Sequence, residues 1–298
     1  MTIKKHLLAE LLIKLRLLKF LNLNFPVQIN GKKFKFPVIN LLGFQNLREL
    51  KKGRESYLDE IITSILKKRK GSFIDVGVNI AQTLLKVKAI DLNQDYIGFE
   101  PNPSSCFYTS KVINLNNFQN CKLIPVGLYN KVTLLKLFIK YGEDDAHASL
   151  VDGFRDKSFY RSEMEKYVVV FPGDYLLKEL NMDSVSIIKI DVEGAEIEVI
   201  EGLVDSISKY KPFIICEILA ADQGNNMEQN QINRINLLEN ILKEKGYLIS
   251  RIYENNKLVI LKEFDKYSSC PENATFDYLF IPPETEPLSL IFPTLTIL

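Results

Sequence analysis

From residue 71 onward the apolar positions fall into two alternating rhythms. Short, nearly continuous apolar runs occupy Phe73–Val76, Tyr96–Glu100, Lys122–Val126, Ser186–Asp191 and Pro212–Ile218. Such density is what a strand buried on both faces of a parallel sheet requires. Helical spacing lies between most of them. Ile80, Leu84 and Val87 follow the first run. Ile197, Ile200, Val204 and Ile207 mark a helix over 195–209. Ile232, Ile235, Leu238 and Leu242 mark another over 231–245, which Gly246 stops. Leu248–Ile252 and Asp277–Ile281 predict the last two strands. The alternation predicts an α/β fold, a doubly wound sheet of about seven strands.

Upstream the rhythm differs. Over residues 3–23, Leu7, Leu8, Leu11, Leu12, Leu15 and Leu18 share one helical face, and Lys4, Lys5, Lys14, Arg16 and Lys19 make the segment basic. This helix either packs on the body or on a second subunit, the reading we favour, or lies on an anionic membrane surface. Charges interrupt its apolar run and no small-residue cleavage site follows, so it does not read as a signal peptide. Residues 27–36 predict a hairpin: Val27, Ile29, Phe34 and Phe36 alternate around Asn30-Gly31, a favoured two-residue turn. Residues 54–69 predict a helix through Tyr57, Leu58, Ile61, Ile62, Ile65 and Leu66. The run Lys67-Lys68-Arg69-Lys70 before Gly71 then reads as a helix stop, not a binding patch. The expected organisation is an N-terminal amphipathic helix and hairpin extension over 1–52, a catalytic domain over 53–282, and a proline-broken tail over 283–298 that wraps the surface or hangs loose.

The pattern breaks between the third and fourth runs. Thr133–Lys140 predicts an extra strand. Residues 142–155 are polar and aperiodic, as lids and substrate loops are.

Composition narrows the classes. With 298 residues and a net charge of +1, nothing points to nucleic acid. Cys106, Cys121, Cys216 and Cys270 are scattered without zinc spacing, which predicts reduced thiols in a cytoplasmic protein. Two histidines, His6 and His147, exclude a histidine-rich metal site. No run of uncharged apolar residues is long enough to span a bilayer.

The chemistry concentrates at the ends of the buried runs. In Phe73–Ala81 (FIDVGVNIA) a strand meets a turn and a helix start, where backbone N–H groups face a ligand crevice. Gly77 allows close approach of a ligand, and Asn79 tolerates a left-handed backbone. A dinucleotide fingerprint in this frame would place glycine at 77, 79 and 82; Asn79 and Gln82 stand there instead. An acid two residues before Gly77, with small residues at alternate positions, suits a methyltransferase loop better: Asp75, Gly77, Asn79, Ala81. Glu100 ends the next strand, where a carboxylate can accept from two ribose hydroxyls. The pair predicts an S-adenosylmethionine (SAM) site. At the fourth run, Asp191, Glu193 and Glu196 follow a buried strand. Glu196 suits the positive start of the next helix; Asp191 ends its strand inside the crevice.

Taken together these motifs resemble the FkbM-type methyltransferases: DVGVNIA at 75–81, FEPNP at 99–103, IKIDVEGAE at 188–196, CEI at 216–218 and YLFIP at 278–282, over roughly 71–282. The resemblance departs at Ala81, where the family pattern has glycine and where a methyl would tighten the cofactor pocket. It implies a Rossmann-like class I methyltransferase fold, SAM as cofactor, and methyl transfer to a hydroxyl of a sugar, glycan or secondary metabolite. It carries Asp75, Gly77, Asn79 and Glu100 over as cofactor contacts. Gln82, Thr83, Pro101, Asn102, Val126, Gly127 and Leu128 complete the expected set. Asp191, Glu193 and His147 are the candidate catalytic residues. No spacing demands a metal, though magnesium held with the help of Asp144 or Asp145 stays open. The alternatives are an NAD-dependent oxidoreductase and a nucleoside-cofactor-binding protein without turnover.

Overall fold

The computed structural model describes residues 22–39, 42–43, 56–138, 149–151, 166–219, 228–266 and 271–298. The amphipathic helix expected over 3–23, save Asn22 and Leu23, which open a strand, most of the 142–155 loop, and with them His147, Asp144 and Asp145, lie outside the described residues. So does Cys270.

A hairpin opens the described chain, β1 (Asn22–Ile29) with β2 (Lys32–Ile39). Its turn residues Asn30 and Gly31 have φ 48° and 77°, the left-handed pair that matches the twist of the flanking strands. Helix α1 (Ser56–Lys68) leads into β3 (Ser72–Val76), α2 (Gln82–Ile90), β4 (Tyr96–Phe99), α3 (Pro103–Asn116) and β5 (Cys121–Ile124). Three short strands, β6 (Gly127–Leu128), β7 (Thr133–Leu137) and β8 (Lys166–Phe171), form a separate sheet in the order β6-β8-β7. Then come α4 (Gly173–Glu179), β9 (Val185–Ile190), α5 (Glu196–Glu201), α6 (Val204–Tyr210), β10 (Phe213–Glu217), α7 (Glu228–Glu244), β11 (Leu248–Tyr253), β12 (Lys257–Leu261), β13 (Ala274–Ile281), α8 (Leu288–Ile291) and β14 (Thr296–Ile297).

Among the described residues the main sheet has nine strands, in the order β14-β12-β11-β13-β10-β9-β3-β4-β5. The block β5-β4-β3-β9-β10 is parallel throughout, and β13 then enters antiparallel to β10. From β3 the chain runs outward to β4 and β5, then crosses back to lay β9 on the other side of β3. That reversal is the switch point at which open α/β sheets bind ligands.

Two cores flank the sheet. One joins α1, α2, α3, α8 and the hairpin; the other joins α4, α5, α6 and α7. The helix expected over 195–209 is two helices, broken at Gly202–Leu203. A Cβ on Gly202 would stand 2.1 Å from the Tyr129 carbonyl oxygen, so this contact with the β6–β7 turn needs glycine. Strand β12, reached through Asn256 at φ 56°, and strand β14 raise the expected seven strands to nine.

Both ends of the described chain belong to the fold. Phe25, Phe34, Phe36 and Val38 of the hairpin are buried in the same core as Leu58, Leu84, Tyr96 and Tyr108. Tyr108 Oη donates to the Pro37 carbonyl at 2.7 Å, and Asn116 exchanges two hydrogen bonds with the Lys35 backbone. Burial of four such side chains contributes roughly 6–12 kcal/mol before entropy is counted. The hairpin, expected as part of an N-terminal extension, therefore shares its core with α1, α2 and α3. The tail is likewise held: Phe292 is 1% exposed, packs edge-on to Phe213, and precedes the strand that pairs with β12. Among the described residues no helix is long and apolar enough to cross a membrane.

Candidate active site

A cavity of 590 Å³ opens at the carboxyl ends of β3, β4, β9 and β10, a size suited to a cofactor and part of a substrate.

Its first half is made largely by backbone. Gly77, at φ 91°, follows β3, and a Cβ there would meet the Asp191 carbonyl oxygen at 1.9 Å. Only glycine lets the loop close onto the end of β9. Asn79 and Ala81 also take left-handed backbone, at φ 48° and 67°. The Ala81 methyl is fully buried in the core shared with α2 and α3. It therefore does not tighten the cofactor pocket as expected; its cost is conformational, about 1–2 kcal/mol for a non-glycine residue.

Glu100 clasps this half together. The N–H of Asn79 donates to its Oε2 at 2.7 Å and the N–H of Asn102 to its Oε1 at 2.8 Å. Asn102 in turn caps α3, accepting from Ser104 N–H at 3.2 Å. One carboxylate thus fixes both loops that edge the cavity. Each of its oxygens keeps a second lone pair for a ribose hydroxyl. Burial pushes the Glu100 carboxyl up to about 7, against the pull of the two N–H donors. The Asn79 Oδ1 is shut off from water and has no hydrogen-bond partner among the described residues, so a ligand donor would satisfy it. These features fit a nucleoside with a cationic tail.

Of the residues expected to contact the cofactor, Gly77, Asn79, Gln82, Thr83, Glu100, Pro101, Asn102, Gly127 and Leu128 line the cavity. Asp75 and Val126 are not among the lining residues. Asp75 is fully buried beneath the loop, where its Oδ2 accepts from Tyr96 Oη. Its position on β3 turns it to the core side, with Phe73 and Tyr96. It braces the loop from below, where a direct contact had been expected. Val126 packs against the other core.

The second half is made of side chains. Asp191 and Glu193 line the cavity, with Glu217, Glu254 and Asp277 beside them. Oxygens of Asp191, Glu193 and Glu217 lie within 4.8 Å of one another. Lys189 Nζ contacts Asp191 Oδ2 at 2.9 Å, and Tyr57 Oη donates to Asp277 Oδ2 at 2.6 Å. Asp277 is the β13 partner of Glu217. Burial, then the charges of Asp191, Asp277 and Glu193, pushes the Glu217 carboxyl far up.

Sequence reasoning missed Tyr57, Lys189, Glu217 and Asp277. Two left a signal. Lys189 and Glu217 each interrupt an apolar run. Tyr57 and Asp277 stand 220 residues apart, and only the topology joins them.

Comparison with known proteins fits this geometry. A methyltransferase FkbM domain matches residues 75–249. Among solved structures, the methyltransferase FkbM of Methylobacillus flagellatus is similar at 14% identity over 71% of this chain, with a TM-score of 0.43; the chain spans 43% of that protein's length. An SAH-bound methyltransferase of Podospora anserina is similar at 12% identity over 82% of this chain and 88% of its own, with a TM-score of 0.41. A SAM-dependent methyltransferase of Agrobacterium tumefaciens shares 7% identity over 88% of this chain and 70% of its own, also with a TM-score of 0.41. No curated protein matches the chain. The match of a single family over more than half the chain, on the segment that carries the glycine loop, Glu100 and the acidic turn, decides the matter: the chain belongs to the FkbM methyltransferase family, and its cofactor is SAM.

Proposed function

We propose that the protein methylates a hydroxyl oxygen on a sugar, glycan or secondary metabolite. The observation that carries this reading is that the cofactor loop and the carboxylates of Asp191 and Glu193, with the Glu217 carboxyl beside them, face one cavity. Carboxylates accept a hydroxyl's hydrogen bond and can take its proton. The acceptor end carries Asp191, Glu193, Glu217, Glu254 and Asp277 against Lys189. Such a wall repels a phosphate backbone, which favours a small or glycan acceptor over nucleic acid.

When bound, SAM supplies a methyl group on a positively charged sulfur, already reactive towards oxygen. The chain's own residues do the rest. Gly77, Asn79, Gln82 and Thr83 would hold one flank of the cofactor, and Glu100 its ribose. Val76, Phe99 and Leu128 keep that flank dry. Asp191, steadied by Lys189, with Glu193 beside it, orients the hydroxyl and receives its proton. Fixing the two reactants accounts for about 7–11 kcal/mol in favourable cases, and a positioned base adds roughly 10²–10⁴-fold.

The full chain incubated with SAM and a panel of monosaccharides, glycosides and polyols tests this. Acceptor-dependent release of S-adenosylhomocysteine with a methyl ether product is expected. Asp191→Asn should lower that turnover at least about tenfold and leave SAM affinity within about twofold. A product methylated on nitrogen or carbon would sink the reading.

A further inference from the structure

We propose that Arg234 is a positioning residue for methyl transfer: from outside the cavity it holds the Glu193–Gly194 turn in the backbone conformation that turns Asp191 and Glu193 inward. The proposal rests on reading that turn as the acceptor side of the site.

The turn is not a shape the chain would keep unaided. Glu193 has φ 52° and Gly194 φ 109°. A left-handed glutamate is an unfavourable choice, and it persists only where its surroundings fix it. Here they do so at three points. The buried Ser149 Oγ donates to the Glu193 carbonyl at 2.7 Å. Glu196 Oε1 accepts from Gly194 N–H at 2.8 Å. Arg234 Nη2 donates to the Gly194 carbonyl at 2.8 Å.

Arg234 is the most demanding of the three. It is not among the residues that line the cavity. It stands on α7 and reaches the turn from behind. Its two terminal nitrogens also grip both oxygens of Glu198 on α5, at 2.8 and 2.6 Å. Glu198 is 8% exposed, so the fork is anchored on a buried carboxylate before it touches the turn. A guanidinium serves both partners from one plane; an ammonium has no such fixed fork. The acidic turn is thus tied to α7, and the aim of the acceptor-side carboxylates depends on a residue that touches neither substrate nor cofactor.

Replacing Arg234 alone would strand Glu198, so the informative variant is Arg234→Met with Glu198→Gln, which removes the grip and the buried charge together. Amide hydrogen exchange of the full chain with SAM bound should then quicken tenfold or more at Val192–Ala195. Exchange over Asn79–Thr83 should not change, and SAM affinity by calorimetry should stay within twofold of wild type. Arg234→Lys, which retains a donor for Gly194, should recover part of the protection. Acceptor-dependent release of S-adenosylhomocysteine should fall tenfold or more with the KM for SAM unchanged. Unaltered exchange at Val192–Ala195, or a parallel fall in SAM affinity and melting temperature, would overturn the proposal. The exchange and calorimetry arms need no acceptor. A wild-type chain that methylates no hydroxyl would therefore count against the O-methylation reading and leave these two arms to decide the role of Arg234.

Discussion

The two halves of the cavity are built by opposite means. The cofactor half is a matter of backbone: three left-handed or glycine positions in five residues, and N–H groups converging on Glu100. The acceptor half is a matter of side chains drawn from α1, the ends of β9 and β10, the turn after β11, and β13. A nucleoside cofactor is constant, so rigid main chain suits it. Side chains on separate elements, by contrast, can change without disturbing the loop. The halves meet at one point, where Gly77 abuts the Asp191 carbonyl.

That joint offers the harshest way to break the division. Gly77→Ala drives a methyl into a backbone oxygen and strains φ at the same time, so it should damage both halves. We expect SAM binding to be lost in calorimetry and stability to fall by more than about 3 kcal/mol in denaturant titration. A well-folded variant with normal SAM affinity would show that the halves are not in contact through this residue.

Glu100→Ala should sharpen the comparison, since it strikes one half only. Two N–H groups and the ribose hydroxyls lose a charged acceptor, and SAM affinity should drop by more than about 1.5 kcal/mol. Amide exchange should rise at Asn79 and Asn102 and stay unchanged at Asp191–Gly194.

The effect of pH is smaller and has a definite sign. Glu100 sits at about 7 in the free protein, above its ordinary value of 4.5. Its protonated form is therefore favoured by folding, and the stability this adds is full below about pH 4.5 and lost as pH rises through 7. Ribose hydroxyls and a sulfonium favour the carboxylate instead. SAM should thus bind several-fold more tightly at about pH 8 than at pH 6, with proton release measurable by calorimetry in buffers of different ionisation heat. Glu100→Gln should flatten the dependence.

Ala81→Gly is expected to do least. Relief of about 1–2 kcal/mol of left-handed strain opposes the loss of a buried methyl worth roughly 0.8 kcal/mol. The melting temperature should move by a few degrees at most, and SAM affinity should hold, because the methyl faces the core.

What could be read from the sequence follows the same division. The glycine loop and Glu100 are local, so spacing alone exposed them, and the apolar runs gave the parallel strands. Asp75 misled because an acid near a loop looks like a ligand contact; which face of β3 it occupies depends on Phe73 and Tyr96, and that is settled by packing. The hairpin looked detachable because its Phe34 and Phe36 carry no sign of what they pack against. Strand β14 is two residues long, too short to leave a period. Glu217 was visible within the CEI motif but was given no role, and Tyr57 with Asp277 had no local signal at all.

The Tyr57–Asp277 hydrogen bond also bears on the order of folding. The Asn79–Glu100 contact closes a segment of 21 residues, and Tyr57–Asp277 one of 220. On loop-closure entropy alone the second costs about 2 kcal/mol more, from (3/2)RT ln(220/21). Nothing local repays that until β9, β10 and β13 are paired, so the acceptor wall should be among the last features to set during refolding. A refolding chain would then recover its affinity for SAM before it can recognise what it methylates, and a stopped-flow experiment would see two phases with the cofactor's return the faster.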